Sequence, residues 1–437
     1  MSALATIIKG SVLFVLSIAL GIGSALAGFF GASVITDSVL GLSVIGLTLC
    51  FLVSTAIALR AARHIFPAHP KRVGLVVGIG TTLFVIGLAS FTVFRPLAVP
   101  AEQTPLPPQA SYWELTTGSR IAYLRVPAKG TAKATPIIRV HGGPGGYAVA
   151  NPNAVAYFGQ LALDGYEVYF YDQTGSGFST RLGNPRDYTF TRSIQDLEAI
   201  RQKIGAEQVI LIGESWGGTI VSNYMAAYPE QVAKVIFTSP APINPREWKT
   251  YQDDIRLRLT PEQQRKVAAL TSSPRLMALM MLMRINPSAA YDFAGDREMD
   301  SWMDQFLTGE IPALICKPAD FPAGQSIHGF GFWAGKMVGR EFYEKTSAIN
   351  PRMQLLANPT PVLILRGECD HIKWQVVDEY RKTFPKSTLL YFPEAGHIIY
   401  YDRPDLYLAA VRAFLLDRPL PLPPHMDSAP PGSSRQP

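Results

Sequence analysis

Three long apolar runs open the chain, and a different pattern of apolar and polar positions follows them. Ser11 to Ile35, Val39 to Leu59 and Val73 to Phe94 are almost uninterrupted by polar residues and carry no internal charge. Helices of that length match the hydrocarbon thickness of a bilayer, so the pattern predicts three spanning helices in a membrane region over residues 1–95. Lys9 precedes the first run, and Arg60, Arg63, Lys71 and Arg72 lie between the second and third, whereas Thr36-Asp37-Ser38 has no basic residue. Basic loops stay on the cytoplasmic side, which predicts that everything after Phe94 lies on the extracytoplasmic side. Ala25-Leu26-Ala27 also fits a signal-peptide cleavage site. The apolar run continues past it to Ile35, which favours an uncut helix, and cleavage would leave the sidedness of the later residues unchanged.

Residues 96–111 are rich in proline, with Pro100, Pro105, Pro107 and Pro108, and read as an extended spacer. Beyond it, short apolar runs alternate with helical stretches. Tyr112–Glu114 and Arg120–Val126 flank Gly118-Ser119 as an antiparallel pair. Pro136–Val140, Glu167–Tyr171, Gln208–Ile212, Lys234–Phe237, Val362–Leu365 and Thr388–Phe392 are β-branched and apolar on both faces, as strands buried in a parallel sheet are. Helical stretches such as Ser193–Ile204 and Lys373–Arg381 separate several of them, which predicts an α/β fold with a mostly parallel sheet covered on both faces. The long interval between Phe237 and Val362 holds helix-like pieces, Glu262–Leu270 and Arg275–Met283, and is expected to be an inserted helical lid. The predicted core is therefore residues 112–241 and 358–418, with the lid at 242–357. The Pro- and Ser-rich residues 419–437 are expected to be disordered.

Composition refines this picture at two points. The apolar share of 48% against 17% charged is high for a soluble protein of 437 residues, and the excess sits in the first hundred positions. A net charge of +6 without a basic run or interleaved aromatic patch gives nucleic-acid binding no support. Three cysteines, Cys50, Cys316 and Cys369, have no zinc-ligand spacing. No metal or cofactor is expected, and the two downstream cysteines, which could pair in an oxidising compartment, are read as free structural thiols.

The candidate chemistry begins at Gly213-Glu214-Ser215-Trp216-Gly217. It fits G-x-S-x-G, directly after an apolar strand and before the helical stretch Thr219–Tyr228. A sharp strand-to-helix turn of this kind projects the serine hydroxyl, which needs a neighbouring base to become a nucleophile. The expected chain order is serine, acid, histidine. Asp370 follows the strand ending near Leu365, and His397 follows the strand ending at Phe392, so both leave the carboxyl end of the sheet. His397 would take the proton of Ser215, and Asp370 would orient His397. Glu368 and His371 are the neighbouring alternatives for the acid and the base. His141-Gly142-Gly143-Pro144-Gly145-Gly146 follows another strand and would supply an oxyanion-hole donor, the N–H of Gly143, to pair with that of Trp216. An aspartate-nucleophile dehalogenase or epoxide hydrolase is disfavoured by the serine at 215.

His141-Gly142-Gly143-Pro144-Gly145, Asp172-Gln173-Thr174-Gly175-Ser176-Gly177, Gly213-Glu214-Ser215-Trp216-Gly217-Gly218, Gly367-Glu368-Cys369-Asp370 and Gly396-His397 together resemble the proline iminopeptidase family of α/β-hydrolases, over roughly residues 112–416. The resemblance implies the α/β-hydrolase fold, Ser215, Asp370 and His397 as the triad, and removal of N-terminal residues from peptides through an acyl-enzyme. It also implies lid carboxylates that hold the substrate's free amino group, for which Glu298, Asp300 and Asp304 around Trp302 are the candidates. Thr174 stands where the family usually has arginine, and Glu214 where glycine is common. The expected function is a membrane-anchored serine aminopeptidase acting on peptide or aminoacyl substrates, with the lipid bilayer as partner of its N-terminal helices. A carboxylesterase or lipase-like enzyme is the alternative, favoured by the Met277, Met280, Met281 and Met283 cluster. A non-catalytic binding ectodomain is the third reading.

Overall fold

The computed structural model describes residues 3–97, 105–244, 250–322, 327–344 and 350–431. The central part of the proline-rich spacer, short stretches of the expected lid and the last six residues of the tail therefore lie outside the described residues. The chain divides into two compact units, one of residues 1–98 with 269–298, the other of residues 99–268 with 299–437.

The first unit contains α1 (Ala3–Ala32), α2 (Val39–Ile65) and α3 (Pro70–Phe91). These three helices are each long and apolar enough to cross a membrane. They pack through small residues, which let backbones approach where no water drives association. A side chain at Gly46 of α2 would lie 2.7 Å from the Ala25 carbonyl of α1. Ser17 Oγ donates across the same pair to the Ser54 carbonyl at 3.0 Å.

In the second unit a hairpin, β1 (Ser111–Glu114) and β2 (Arg120–Val126), leads into β3 (Ile137–Val140), α4 (Pro152–Phe158), β4 (Val168–Tyr171), α5 (Phe190–Ile204), β5 (Val209–Glu214), α6 (Trp216–Ala227) and β6 (Val232–Thr238). The interval before the next strand is helical, as the sequence predicts: α7 (Pro261–Thr271), α8 (Pro274–Ile285), α9 (Pro287–Phe293), α10 (Asp296–Glu310), α11 (Phe332–Glu344) and α12 (Arg352–Leu356). The division between units falls inside α7 and α10, so α8 and α9, including the methionine cluster, belong to the first unit. The second unit ends with β7 (Val362–Gly367), α13 (Trp374–Thr383), β8 (Ser387–Phe392), α14 (Ile399–Asp402) and α15 (Pro404–Leu415).

The eight strands form one sheet in the order β1-β2-β4-β3-β5-β6-β7-β8. The pairs β1/β2 and β2/β4 are antiparallel, and every other pair is parallel. Strands β3, β4 and β7 are buried at every position, the consequence of helices on both faces. Ile137, Phe170, Ile212, Leu363 and Phe392 share one core with Phe158 of α4 and with Tyr407 and Val411 of α15. The loops after β3, β5, β7 and β8 leave the same, carboxyl, edge.

Two expectations are corrected. The described part of the tail, to Pro431, is not loose: the His425 N–H donates to the Leu389 carbonyl of β8 at 2.8 Å, and Trp374 Nε1 donates to the Ser428 carbonyl at 2.9 Å. β8 ends the sheet, and the tail covers backbone groups that an edge leaves open. Cys316 and Cys369 are joined in a disulfide rather than free. Pairing 53 residues apart could not be read from the sequence, because the lid returns to the β7 loop only in the fold. Closing a loop of that size restricts the unfolded chain and stabilises by about 2–4 kcal/mol. Cys316→Ser or Cys369→Ser should therefore lower the thermal midpoint of the second unit in detergent by several degrees, and reductant should do the same to the wild type but leave either variant unchanged.

Candidate active site

β5 ends at Glu214 and α6 begins at Trp216, so Ser215 alone makes the turn, at φ 52° and ψ −120°. An L-residue held there costs about 1–3 kcal/mol and persists only where its surroundings fix it. They do so here. The Ser215 N–H donates to the Thr238 carbonyl at 3.0 Å, and its carbonyl accepts from the N–H groups of Gly218 and Ala241, both at 2.9 Å. Gly217 lets the helix begin against β3, since a Cβ there would lie 2.1 Å from the Val140 carbonyl. Glu214, the departure from the family pattern, is ion-paired with Arg139 of β3. That arginine is buried, with its guanidinium 4.7 Å over the Phe158 ring. An unpaired charge would be costly under the sheet edge, so the glutamate answers the arginine.

The loop after β3 is locked by the Asp172-Gln173 motif. His141 Nε2 accepts from the Gln173 N–H at 3.0 Å, which places the proton on Nδ1, where it donates to the Gly142 carbonyl at 2.9 Å. Burial pulls this imidazole down to about 3, so it is neutral and structural at ordinary pH. Asp172 Oδ1 accepts from the N–H groups of Ala148 (2.6 Å) and Val149 (2.9 Å), and its Oδ2 from that of Phe178 (2.9 Å). Thr174, the second departure, donates to Asp196 at 2.6 Å, and Thr117 and Ser119 donate to the same carboxylate. Gly143 sits at φ 135°, where a Cβ would come within 2.6 Å of the Gly145 and Gly146 nitrogens. The loop reaches the serine: a Cβ on Gly142 would be 3.0 Å from that of Ser215. Gly143 thus follows, in its loop, the glycine that meets Ser215, and Trp216 follows Ser215 at the start of α6.

Asp370 and His397 are brought together. Asp370 Oδ1 accepts from His397 Nδ1 at 2.8 Å and from the Ile372 N–H at 3.0 Å, while Oδ2 is ion-paired with Arg366 Nη1 at 2.6 Å. Burial would raise the Asp370 pKa, but the charges of His397 and Arg366 outweigh it and hold the carboxyl well below the usual range. A permanent anion on Nδ1–H leaves Nε2 of His397 as its basic nitrogen. The His397 backbone N–H donates to the Leu314 carbonyl at 2.7 Å. Cys316 and Cys369 tie that segment to the Asp370 loop, and Arg258 donates to the carbonyls of Ala313, Ile315 and Cys369. Glu368 is exposed and accepts instead from the Glu394 N–H at 2.8 Å. His371 lies with its ring 4.5 Å from that of His397, and burial together with His397 pulls it down to about 3. Donor atoms of Asp370, His371 and His397 lie within 4.8 Å of one another, a spacing a metal could use, but Arg366 already gives that carboxylate its counter-charge.

The three lid carboxylates separate. Glu298 belongs to the first unit, where Arg275 is its ion-pair partner. Asp300 is ion-paired with Arg181 at 2.8 Å and accepts from the Phe332 N–H. Asp304 accepts from the N–H groups of Gly329 and Phe330, and burial raises it to about 6. Two residues further along, the Gly331 N–H donates to the Gly145 carbonyl at 2.8 Å, which sets Asp304 one segment away from the His141–Gly146 loop. Arg366 and Arg139 are the site residues that sequence reasoning missed. Each is a charge inside a fully apolar strand run, and that mismatch was the available signal.

A family model described as alpha/beta hydrolase fold matches residues 135–404, well over half of the chain. The proline iminopeptidase of Heyndrickxia coagulans is 25% identical over 305 residues, 68% of this chain and 96% of its own length. That of Clostridioides difficile is 22% identical over 67% of this chain and 94% of its own. Among solved structures, the proline iminopeptidase of Mycobacterium smegmatis superposes with a TM-score of 0.46 at 21% identity, over 70% of this chain and 98% of its own. The chain belongs to the α/β hydrolase fold family, and over about two thirds of its length it is similar to proline iminopeptidases.

Proposed function

We propose that the protein is a membrane-anchored serine hydrolase that removes N-terminal residues from peptides on the extracytoplasmic side. The buried Asp370–His397 pair, 2.8 Å apart, is the observation that carries this reading. His397 Nε2 takes the proton of Ser215 as its oxygen attacks the scissile carbonyl. The charge that develops on the carbonyl oxygen is stabilised by the N–H groups of Gly143 and Trp216. His397, now a cation held by Asp370, gives the proton to the departing amine, and water then releases the acyl group by the same steps in reverse. The strained backbone of Ser215 supports the nucleophile role, since strain of that kind is kept where function needs it.

The finer part of the reading rests on Asp304. Of the three lid carboxylates it alone has neither a side-chain ion pair within 4 Å nor a place in the other unit, among the described residues. A substrate ammonium would supply the cation it lacks. The proline iminopeptidases among the relatives support a peptide substrate. The three apolar helices support anchoring, and the disulfide supports an oxidising, extracytoplasmic compartment, as the basic residues at the carboxyl end of α2 and the start of α3 do.

Activity of the purified full chain on aminoacyl and prolyl amides tests the reading, with N-acetylated amides and simple esters alongside. Free-amine amides should be turned over and acetylated ones should not, and Ser215→Ala should lower kcat by about 10⁴-fold or more. Turnover of esters with no amide cleavage would reject the peptidase and leave the esterase. The Asp304 carboxylate must be ionised to bind an ammonium and is protonated below about 6, so kcat/KM for free-amine substrates should fall as pH drops through about 6. Asp304→Asn should lower kcat/KM for those substrates by about 10- to 100-fold and remove that pH limb. An unchanged profile in the variant would place amine recognition elsewhere.

A further inference from the structure

The segment from α8 to the start of α10 lies within the interval that reads as a lid, yet it is built into the unit of the three apolar helices. Its polar side chains fasten it to one end of that bundle. Asn286 donates to the Ser33 carbonyl and to Asp37 Oδ1, both at 2.7 Å, and the Val39 N–H donates to Asp292 at 2.8 Å. Arg275 donates to the Val93 carbonyl at 3.1 Å and pairs with Glu298, which also accepts from the Leu97 N–H at 2.8 Å. These contacts gather the turn between α1 and α2 and the segment just after α3, the end of the bundle opposite the basic residues 60–72.

α8 itself, Pro-Arg-Leu-Met-Ala-Leu-Met-Met-Leu-Met-Arg-Ile, is apolar on every face between Arg275 and Arg284. A helix apolar all round belongs in a core or in lipid, and at 12 residues it is too short to span. One face, with Leu276, Leu279 and Leu282, is buried. The other is not: Met277, Met281 and Ile285, at i, i+4 and i+8, are 66%, 50% and 43% exposed. Behind the helix, Ala278 lines an apolar pocket of about 170 Å³ with Phe29 of α1, Gly46 of α2, Ala89 of α3 and Phe94. Val34, Ile35 and Leu40, at the turn to which Asn286 fastens the segment, are exposed as well. Water on that stripe would leave exposed apolar side chains at one end of helices long enough to cross a membrane.

We propose that α8 is an interfacial helix, with Met277, Met281 and Ile285 seated against lipid acyl chains, so that the hydrolase touches the bilayer through its lid segment as well as through α1–α3. This rests on the reading that α1–α3 span the membrane. The flexible methionines suit a disordered acyl layer.

The test is site-directed fluorescence of the full chain in phosphatidylcholine–phosphatidylglycerol nanodiscs. In a Cys50→Ala background, Met281→Cys and, separately, Met277→Cys carry an environment-sensitive label, and Leu52→Cys, exposed on α2, reports on spanning. Quenchers are a nitroxide near the carbonyl end of the acyl chains and aqueous iodide. Loss of emission with the nitroxide lipid at 281 and 277, with iodide without effect, is the expected result. Quenching by iodide at both, or shielding from both quenchers, while Leu52 is quenched by the lipid nitroxide would overturn the proposal and leave spanning intact. Iodide access at Leu52 as well would overturn the spanning reading and this proposal with it.

Discussion

A carboxylate held between an imidazole and a guanidinium, out of water, is the interaction on which the site depends. Burying Asp370 alone would be costly, and the easy escape would be to protonate it. Arg366 on one oxygen and His397 on the other remove that escape. The cost of the arrangement is met by the sheet. Arg366 is fixed within β7, Asp370 leaves the end of that strand, and His397 leaves the end of β8 beside it. The lid segment at Leu314–Cys316 then grips both loops through a backbone bond, a disulfide and the fan of carbonyls on Arg258.

The same logic of paired buried groups recurs at the nucleophile turn. Arg139 and Glu214 neutralise each other on adjacent strands, and His141 is kept neutral by burial so that it can serve as a hydrogen-bonded wedge. The Asp172 carboxylate stitches three N–H groups from two loops. Rigid loops at the carboxyl edge let one small motif set a geometry that chemistry needs to within fractions of an ångström.

Much of this was legible in the chain. All eight strands fall within about two residues of the apolar runs, because a strand covered on both faces leaves a continuous signal rather than a faint alternation. The sharp turn at Ser215 and the places of Asp370 and His397 after neighbouring strands were legible from turn chemistry and from the apolar runs. What escaped was whatever depended on distant segments meeting: the Cys316–Cys369 bond, the tail laid on β8, and the counter-charge roles of Arg366 and Arg139. The lid carboxylates illustrate the limit well. Glu298, Asp300 and Asp304 lie on one helix within seven residues, yet one pairs with Arg275 in the apolar-helix unit, one pairs with Arg181 and one accepts from the backbone of Gly329 and Phe330. Sequence spacing alone gave no basis for choosing among them.

The central claim, that His397 activates Ser215 for attack, is tested most directly by peptide mass spectrometry after reaction with a fluorophosphonate probe. The account predicts a single adduct on the peptide carrying Ser215, formed in the wild type and suppressed in His397→Ala although the serine is still present. An adduct on another residue, or labelling of Ser215 as fast without the imidazole as with it, would contradict it.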